Sequence, residues 1–264
     1  MSILLHPTPY ADVNAALDDL AVSIRAALGN RMSGMYLSGS LALGDFDPLS
    51  SDIDTVVVTD AEVGDDLFVA LKGVHARFGA GGSPWAERVE VVYVPRCALR
   101  YAAPSAASYP QLERGGTLFR DVLESGWAIQ RHILREHGVV VAGPVPRTLI
   151  PAVDPLDMCR ASVGIATAWR EQARQDPAWL DWLRNGEAQA FVVQTLCRLL
   201  YTLDSGSVAS KPGATRWAQK ALGKRWAALI ERSLARRHDG RGTPESDVDE
   251  TVALIQFTIE RSQQ

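Results

Sequence analysis

An α/β domain with a mixed sheet, followed by an all-helical bundle domain, is the fold class this sequence predicts. Three observations carry that expectation. Ile53–Thr59 and Arg88–Val94 are short runs rich in β-branched residues, with a helical pattern between them over Asp65–Phe78. Pro146 and Pro151 then punctuate the chain. Beyond them, apolar residues recur at helical spacing in long segments. The expected domains are 1–150 and 151–264. An active site is expected in the cleft between them, because small-molecule sites concentrate at domain interfaces.

Element by element, Ala11–Leu28 sets Val13, Ala16, Leu20, Ile24 and Leu28 near helical spacing, with Gly29-Asn30 as the stop. Met35-Tyr36-Leu37 reads as a short strand ending in Ser38-Gly39-Ser40. The strand Ile53–Thr59, the helix Asp65–Phe78, a glycine-rich loop over Gly79–Ser83 and the strand Arg88–Val94 follow, the last stopped by Pro95. Tyr101–Thr117 contains Pro104, Pro110, Gly115 and Gly116 and reads as irregular. A helix over about Val122–Glu136 leads to the apolar run Val139–Val141 and a turn at Gly143-Pro144. Helices are then expected over Leu156–Gln175, Gly186–Leu203, Thr215–Arg237 and Ser246–Arg261.

Composition narrows the function classes. Hydrophobic residues make up 47% and charged residues 22%, close to globular averages, so a substantial core is expected. A net charge of −4 argues against a nucleic-acid binder that works through a basic surface. No apolar run approaches the ~20 residues that span a bilayer. The N-terminal MSILLHPTPYADVN lacks the basic and long apolar regions of a signal peptide. Cys97, Cys159 and Cys197 are widely spaced and odd in number, as expected of reduced, mostly buried thiols. A soluble, cytoplasmic, monomeric protein without nucleic-acid or membrane partners is the expectation.

The chemistry concentrates in Ser38–Asp54, SGSLALGDFDPLSSDID. Gly39 permits close backbone approach to a ligand. Ser40 opens a short helical stretch whose N-terminus can hold a phosphate. Gly44 permits the turn back towards the next strand. Asp52 and Asp54 are two apart where that strand opens, so both project to one face while Ile53 turns to the other. Adjacent carboxylates repel unless a cation holds them, and oxygen donors in this number suit Mg²⁺ with waters and substrate phosphates completing its shell. Glu90 shares a face with Arg88 and Val92. If its strand neighbours the first, it could ligate metal or take a proton from an attacking hydroxyl. Asp45 and Asp47 read as turn residues.

Gly39-Ser40, Gly44 and Ser51-Asp52-Ile53-Asp54 resemble the GS…G…SDxD signature of the nucleotidyltransferase superfamily with the polymerase β-like fold. Length, motif position and the helical second half are similar to the aminoglycoside adenylyltransferases that modify streptomycin and spectinomycin. The resemblance implies transfer of AMP from ATP to an acceptor hydroxyl, with Asp52 and Asp54 on two Mg²⁺ ions and Glu90 as base. It also implies that Ser40 and Ser51 lie at the phosphate and metal end. Arg198 in TLCRLLYTL and Lys211 in VASKPGATRWA match the family's nucleotide-binding Arg and Lys. The family's antibiotic pocket carries a Trp after the third strand and acidic residues before the helical Arg. Here Tyr109-Pro110-Gln111-Leu112-Glu113 stands near the first position, and Asp181 and Glu187 precede Arg198. A non-aminoglycoside acceptor and a catalytically silent nucleotide-binding module are the alternatives.

Other groups carry plainer readings. Arg198 lies on a helix apolar on most sides, so it needs a partner, either a carboxylate or a phosphate. Lys211 falls in an expected interhelical loop. His6, His75, His132, His137 and His238 show no metal-ligand spacing and read as structural or surface residues. The tryptophans of the helical half read as core and interface packing.

Overall fold

The computed structural model describes residues 6–100, 107–123, 125–236 and 242–262. The chain divides into two compact units, Met1–Val153 and Asp154–Gln264. The first unit is built on β1 (Met32–Leu37), β2 (Ile53–Thr59), β3 (Val89–Pro95), β4 (Ser108–Leu112), β5 (Phe119–Val122) and β6 (Val139–Ala142). They form one sheet of order β5-β4-β3-β2-β1-β6. The pair β2–β3 is parallel and every other neighbouring pair is antiparallel, so the sheet is mixed, as expected. A parallel pair requires a crossover, supplied by α3 (Asp65–Ala80).

Strand alternation gives the sheet two faces. Ile53 and Val57 of β2 share a core with Val13, Leu17, Leu20 and Ile24 of α1 (Ala11–Leu28) and with Leu71, Val74 and Phe78 of α3. Val56 and Val58 face the other way and pack with Tyr36, Val94 and, from α4 (Trp127–His137), Trp127 and Leu134. Asp54 and Glu90 belong to this second face, at the strand ends where the apolar packing gives out.

His75 makes the first unit acid-sensitive. It is 6% exposed on α3, its Nε2 lies 2.7 Å from the Tyr93 hydroxyl, and burial lowers its pKa to about 4 from 6.5. Between those values the unfolded chain takes up a proton that the folded chain refuses. Stability is therefore complete above pH ~6.5 and falls by about 3 kcal/mol as pH drops towards 4. Urea melts stepped through this window should show the loss in the wild type and a smaller one in His75→Gln. Parallel curves for the two proteins would contradict it.

Two expectations in the first unit are corrected. Part of the segment expected to be irregular, Ser108–Leu112, is strand β4 (residues 101–106 lie outside the described ones). Pro110 hid it: the β3 ladder uses only Leu112 and Gln111, so the missing N–H falls beyond that pairing. The helix expected from Val122 starts at Trp127, because Phe119–Val122 pairs with β4 as β5.

The second unit comprises α5 (Pro155–Gln175), α6 (Pro177–Leu183), α7 (Gly186–Ser205), α8 (Lys211–Ala221), α9 (Lys224–Arg236) and α10 (Glu245–Arg261). Its axis is α7, which packs against α5, α8, α9 and α10 and buries Ala190, Val192, Val193, Leu196, Cys197 and Leu200. The single helix expected over Thr215–Arg237 is two, parted at Gly223 with φ 86° (Arg237 lies outside the described residues). The helix α6 was not expected; Asp176 caps it by accepting from the Ala178 N–H. Asp247 of α10 is 4% exposed and is held by Arg232 and Arg236, the Arg232 Nε at 3.1 Å. Such a carboxylate is tolerable only because it is paired. Among the described residues, no helix is long and apolar enough to cross a membrane. Cys197 is buried and Cys159 half-buried, but Cys97 is exposed.

Candidate active site

The site is assembled where β1 and β2 meet. The Ser38 N–H donates to the Asp54 carbonyl at 2.9 Å and continues the ladder past Leu37. Gly39 then takes φ 54° and starts α2 (Gly39–Leu43), which Gly44 closes at φ 75°. A Cβ at Gly39 would fall 1.8 Å from Asp54 Oδ2. The glycine is thus demanded twice, by its φ and by the carboxylate lying against its Cα.

The parallel register sets Asp54 beside Glu90. Both are half-buried. Asp52, just before β2, has its Oδ1 buried without a hydrogen-bond partner, with Arg114 Nε at 3.6 Å and Arg88 Nε at 3.9 Å. Burial raises the Glu90 pKa to about 7, followed by the charges of Asp54 and Asp52; the Arg114 backbone N–H, which bonds the carboxylate, works the other way. Burial and the neighbouring carboxylates thus both disfavour the ionised form of Glu90.

Donor chemistry fits Mg²⁺: hard carboxylate oxygens, one of them buried without a hydrogen bond and met only by longer ion pairs to Arg114 and Arg88. Among the described residues, no three His, Cys, Asp or Glu side chains form a ready-made metal cage. An ion held here would draw much of its shell from water and from a bound phosphate, as Mg²⁺ usually does.

Arg88 fastens the loop that presents Asp52. It donates to the Pro48 carbonyl at 2.9 Å and to the Ser51 carbonyl, and it stacks over Trp85 at 4.6 Å. Trp85 is in turn held by Asp12 at 3.0 Å. Within the loop, Asp47 accepts from the Leu49 N–H at 3.0 Å and the Ser50 hydroxyl at 2.7 Å, so it is a turn residue. The Ser51 hydroxyl accepts from the Asp47 N–H at 3.0 Å. Ser40 lies half-buried in α2.

In the second unit, Arg198 is half-buried on α7. Lys211 is the first residue of α8, not part of a loop; Ser210 caps that helix by accepting from the Gly213 N–H at 3.2 Å. The Lys211 ammonium lies 5.8 Å from the Phe191 ring centre, and Trp169 and Trp182 also contact that ring. Trp179 and Trp226 are buried, as core packing requires, whereas Trp182 is 44% exposed. Tyr109 is buried in the sheet, so it lines a core rather than a pocket. His238 lies outside the described residues. Sequence reasoning gave no role to Arg88 and did not consider Arg114. Arg88 was visible two residues before Glu90, but Arg114 had no signal beyond a cation before two glycines.

Two family models match the chain: a nucleotidyltransferase domain over residues 24–88, and the C-terminal domain of aminoglycoside adenylyltransferases over residues 148–261. The chain is similar to the aminoglycoside adenylyltransferases along nearly its whole length. With relatives named adenylyltransferases and a nucleotidyltransferase domain present, the chain is an enzyme of the nucleotidyltransferase class. An aminoglycoside (3'')(9) adenylyltransferase of Escherichia coli is 25% identical over 262 residues, covering 94% of this chain and 95% of the relative. One of Shigella flexneri is 26% identical over 229 residues, covering 83% of each. The crystal structure of spectinomycin adenyltransferase AAD(9) from Enterococcus faecialis, with ATP and spectinomycin, shares the fold at a TM-score of 0.68 and 16% identity, covering 95% of this chain and 99% of that one.

Proposed function

We propose that the enzyme transfers AMP from ATP to a hydroxyl of an aminoglycoside, in a Mg²⁺-dependent reaction that confers antibiotic resistance. The observation that carries the chemistry is the side-by-side register of Asp54 and Glu90 with Asp52 next to them. The family's relatives and the ATP- and spectinomycin-bound neighbour support the substrates. The acceptor oxygen attacks the α-phosphorus, the bond to pyrophosphate breaks, and the hydroxyl proton passes to Glu90. A carboxylate with its pKa raised towards neutrality is matched to that task. Asp52 and Asp54 are the residues that would hold Mg²⁺, two ions being the expected number. Bound Mg²⁺ supplies charge neutralisation on the triphosphate and the leaving pyrophosphate. Gly39, Ser40 and Ser51 bind at the phosphate end, and Arg198 and Lys211 bind the nucleotide.

A pyrophosphate-release assay with ATP and Mg²⁺ tests this against spectinomycin, streptomycin and a panel of other amino sugars. Acceptor-dependent release that EDTA abolishes is expected. Arg198→Ala and Lys211→Ala should mainly raise the KM for ATP. Absence of release with every aminoglycoside would remove the acceptor from the proposal and leave nucleotidyl transfer standing.

A further inference from the structure

The turn that follows β4 brings a cation against the carboxylates. The Gly116 N–H donates to the Glu113 carbonyl at 3.0 Å, and Gly115 takes φ 64°. Arg114 is held inside this turn. Its backbone N–H bonds the Glu90 carboxylate, while its side chain comes within 3.6 Å of Asp52. One residue thus touches both the base and a carboxylate of the proposed metal site. Its side chain is 55% exposed against 19% for Arg88, whose guanidinium is fixed by the carbonyls of Pro48 and Ser51. Arg88, Arg114 and Glu87 also line a cavity of about 540 Å³ beside the strand that carries Glu90.

This placement has a chemical consequence for anything positive that approaches. A hydroxyl that gives its proton to Glu90 must come within hydrogen-bond reach of that carboxylate. It then approaches a carboxylate bonded by the Arg114 backbone N–H, with the Arg114 side chain on the neighbouring Asp52. An amine or guanidine next to that hydroxyl meets a like charge in a half-desolvated setting, where repulsion is felt. A divalent ion approaching Asp52 meets the same charge.

We propose that Arg114 sets the cation tolerance of the carboxylate face. It neutralises Asp52 before the metal–nucleotide binds, and it disfavours acceptors that carry positive charge next to the attacked hydroxyl. Only the second half rests on the aminoglycoside reading.

The test compares Arg114→Lys, Arg114→Gln and Arg114→Glu in the full chain, with unchanged melting temperatures as the folding control. One readout is calorimetric titration with Mn²⁺ alone. The other is the ratio of kcat/KM for streptomycin to that for the less highly charged spectinomycin, at low and high salt. Mn²⁺ affinity is expected to rise roughly threefold in the Gln variant and about tenfold in the Glu variant, with Lys unchanged. The acceptor ratio should rise in the same order, and high salt should compress the differences. The proposal is overturned if Arg114→Glu changes neither readout, or if Lys behaves like Gln, which would mean packing rather than charge. If no aminoglycoside is a substrate yet Mn²⁺ binding tightens in the stated order, the role of Arg114 is upheld and the acceptor reading is what fails.

Discussion

Asp54→Asn is expected to cut acceptor-dependent pyrophosphate release by about 10³-fold or more while raising the melting temperature. The amide keeps the shape of the carboxylate and removes its charge. Metal-based charge stabilisation of about 4 kcal/mol corresponds to roughly three decades of rate. Stability should move in the opposite direction. Among the neighbouring charges that push Glu90 up to about 7, Asp54 contributes most, so its removal relieves repulsion built into the folded state. Each kcal/mol relieved is worth about 2–4 °C in a protein of this size. Rate and melting temperature measured on one preparation decide the matter. Asp54→Asn falling in both would point to damaged packing and count against the proposed role of the carboxylate.

Gly39→Ala is expected to lose at least ~10²-fold in kcat/KM, since a displacement of about 1 Å at a reacting centre costs that much. Two effects combine. The left-handed φ of 54° costs an alanine roughly 1–2 kcal/mol. The new methyl also falls 1.8 Å from Asp54 Oδ2, so the carboxylate must leave its place. Gly44→Ala separates the two, because Gly44 has φ 75° and open space where a Cβ would go. The Gly44 variant should lose similar stability and keep most of its activity. Equal activity losses in the two variants would defeat the close-approach argument.

Local chemistry was legible in the sequence and long-range chemistry was not. Asp52 and Asp54 could be placed on one face from the two-residue period of a strand alone, and the structure seats Ile53 in the opposite core. Glu90 needed strand pairing, which local sequence does not encode; the parallel register supplied it. Strand β4 is hidden because Pro110 argues against a strand unless the pairing with β3 is known to end beside it. Lys211 reads as a loop residue only while Ser210 is uncapped chain; a serine followed at once by Lys-Pro is a helix-start pattern, and Ser210 caps α8. Arg114 could not be found at all, since its partners Asp52 and Glu90 meet it only through the folded sheet.

The parallel β2–β3 pair also bears on how such an enzyme can change. Asp54 and Glu90 are spaced by the sheet itself, about 4.8 Å between neighbouring strands. Arg114, by contrast, hangs on an exposed turn closed by one backbone hydrogen bond. Surface turns accept substitution far more readily than buried strands. If Arg114 acts as proposed, substitutions in the turn would retune acceptor choice while the strand-borne carboxylates stay fixed by the sheet.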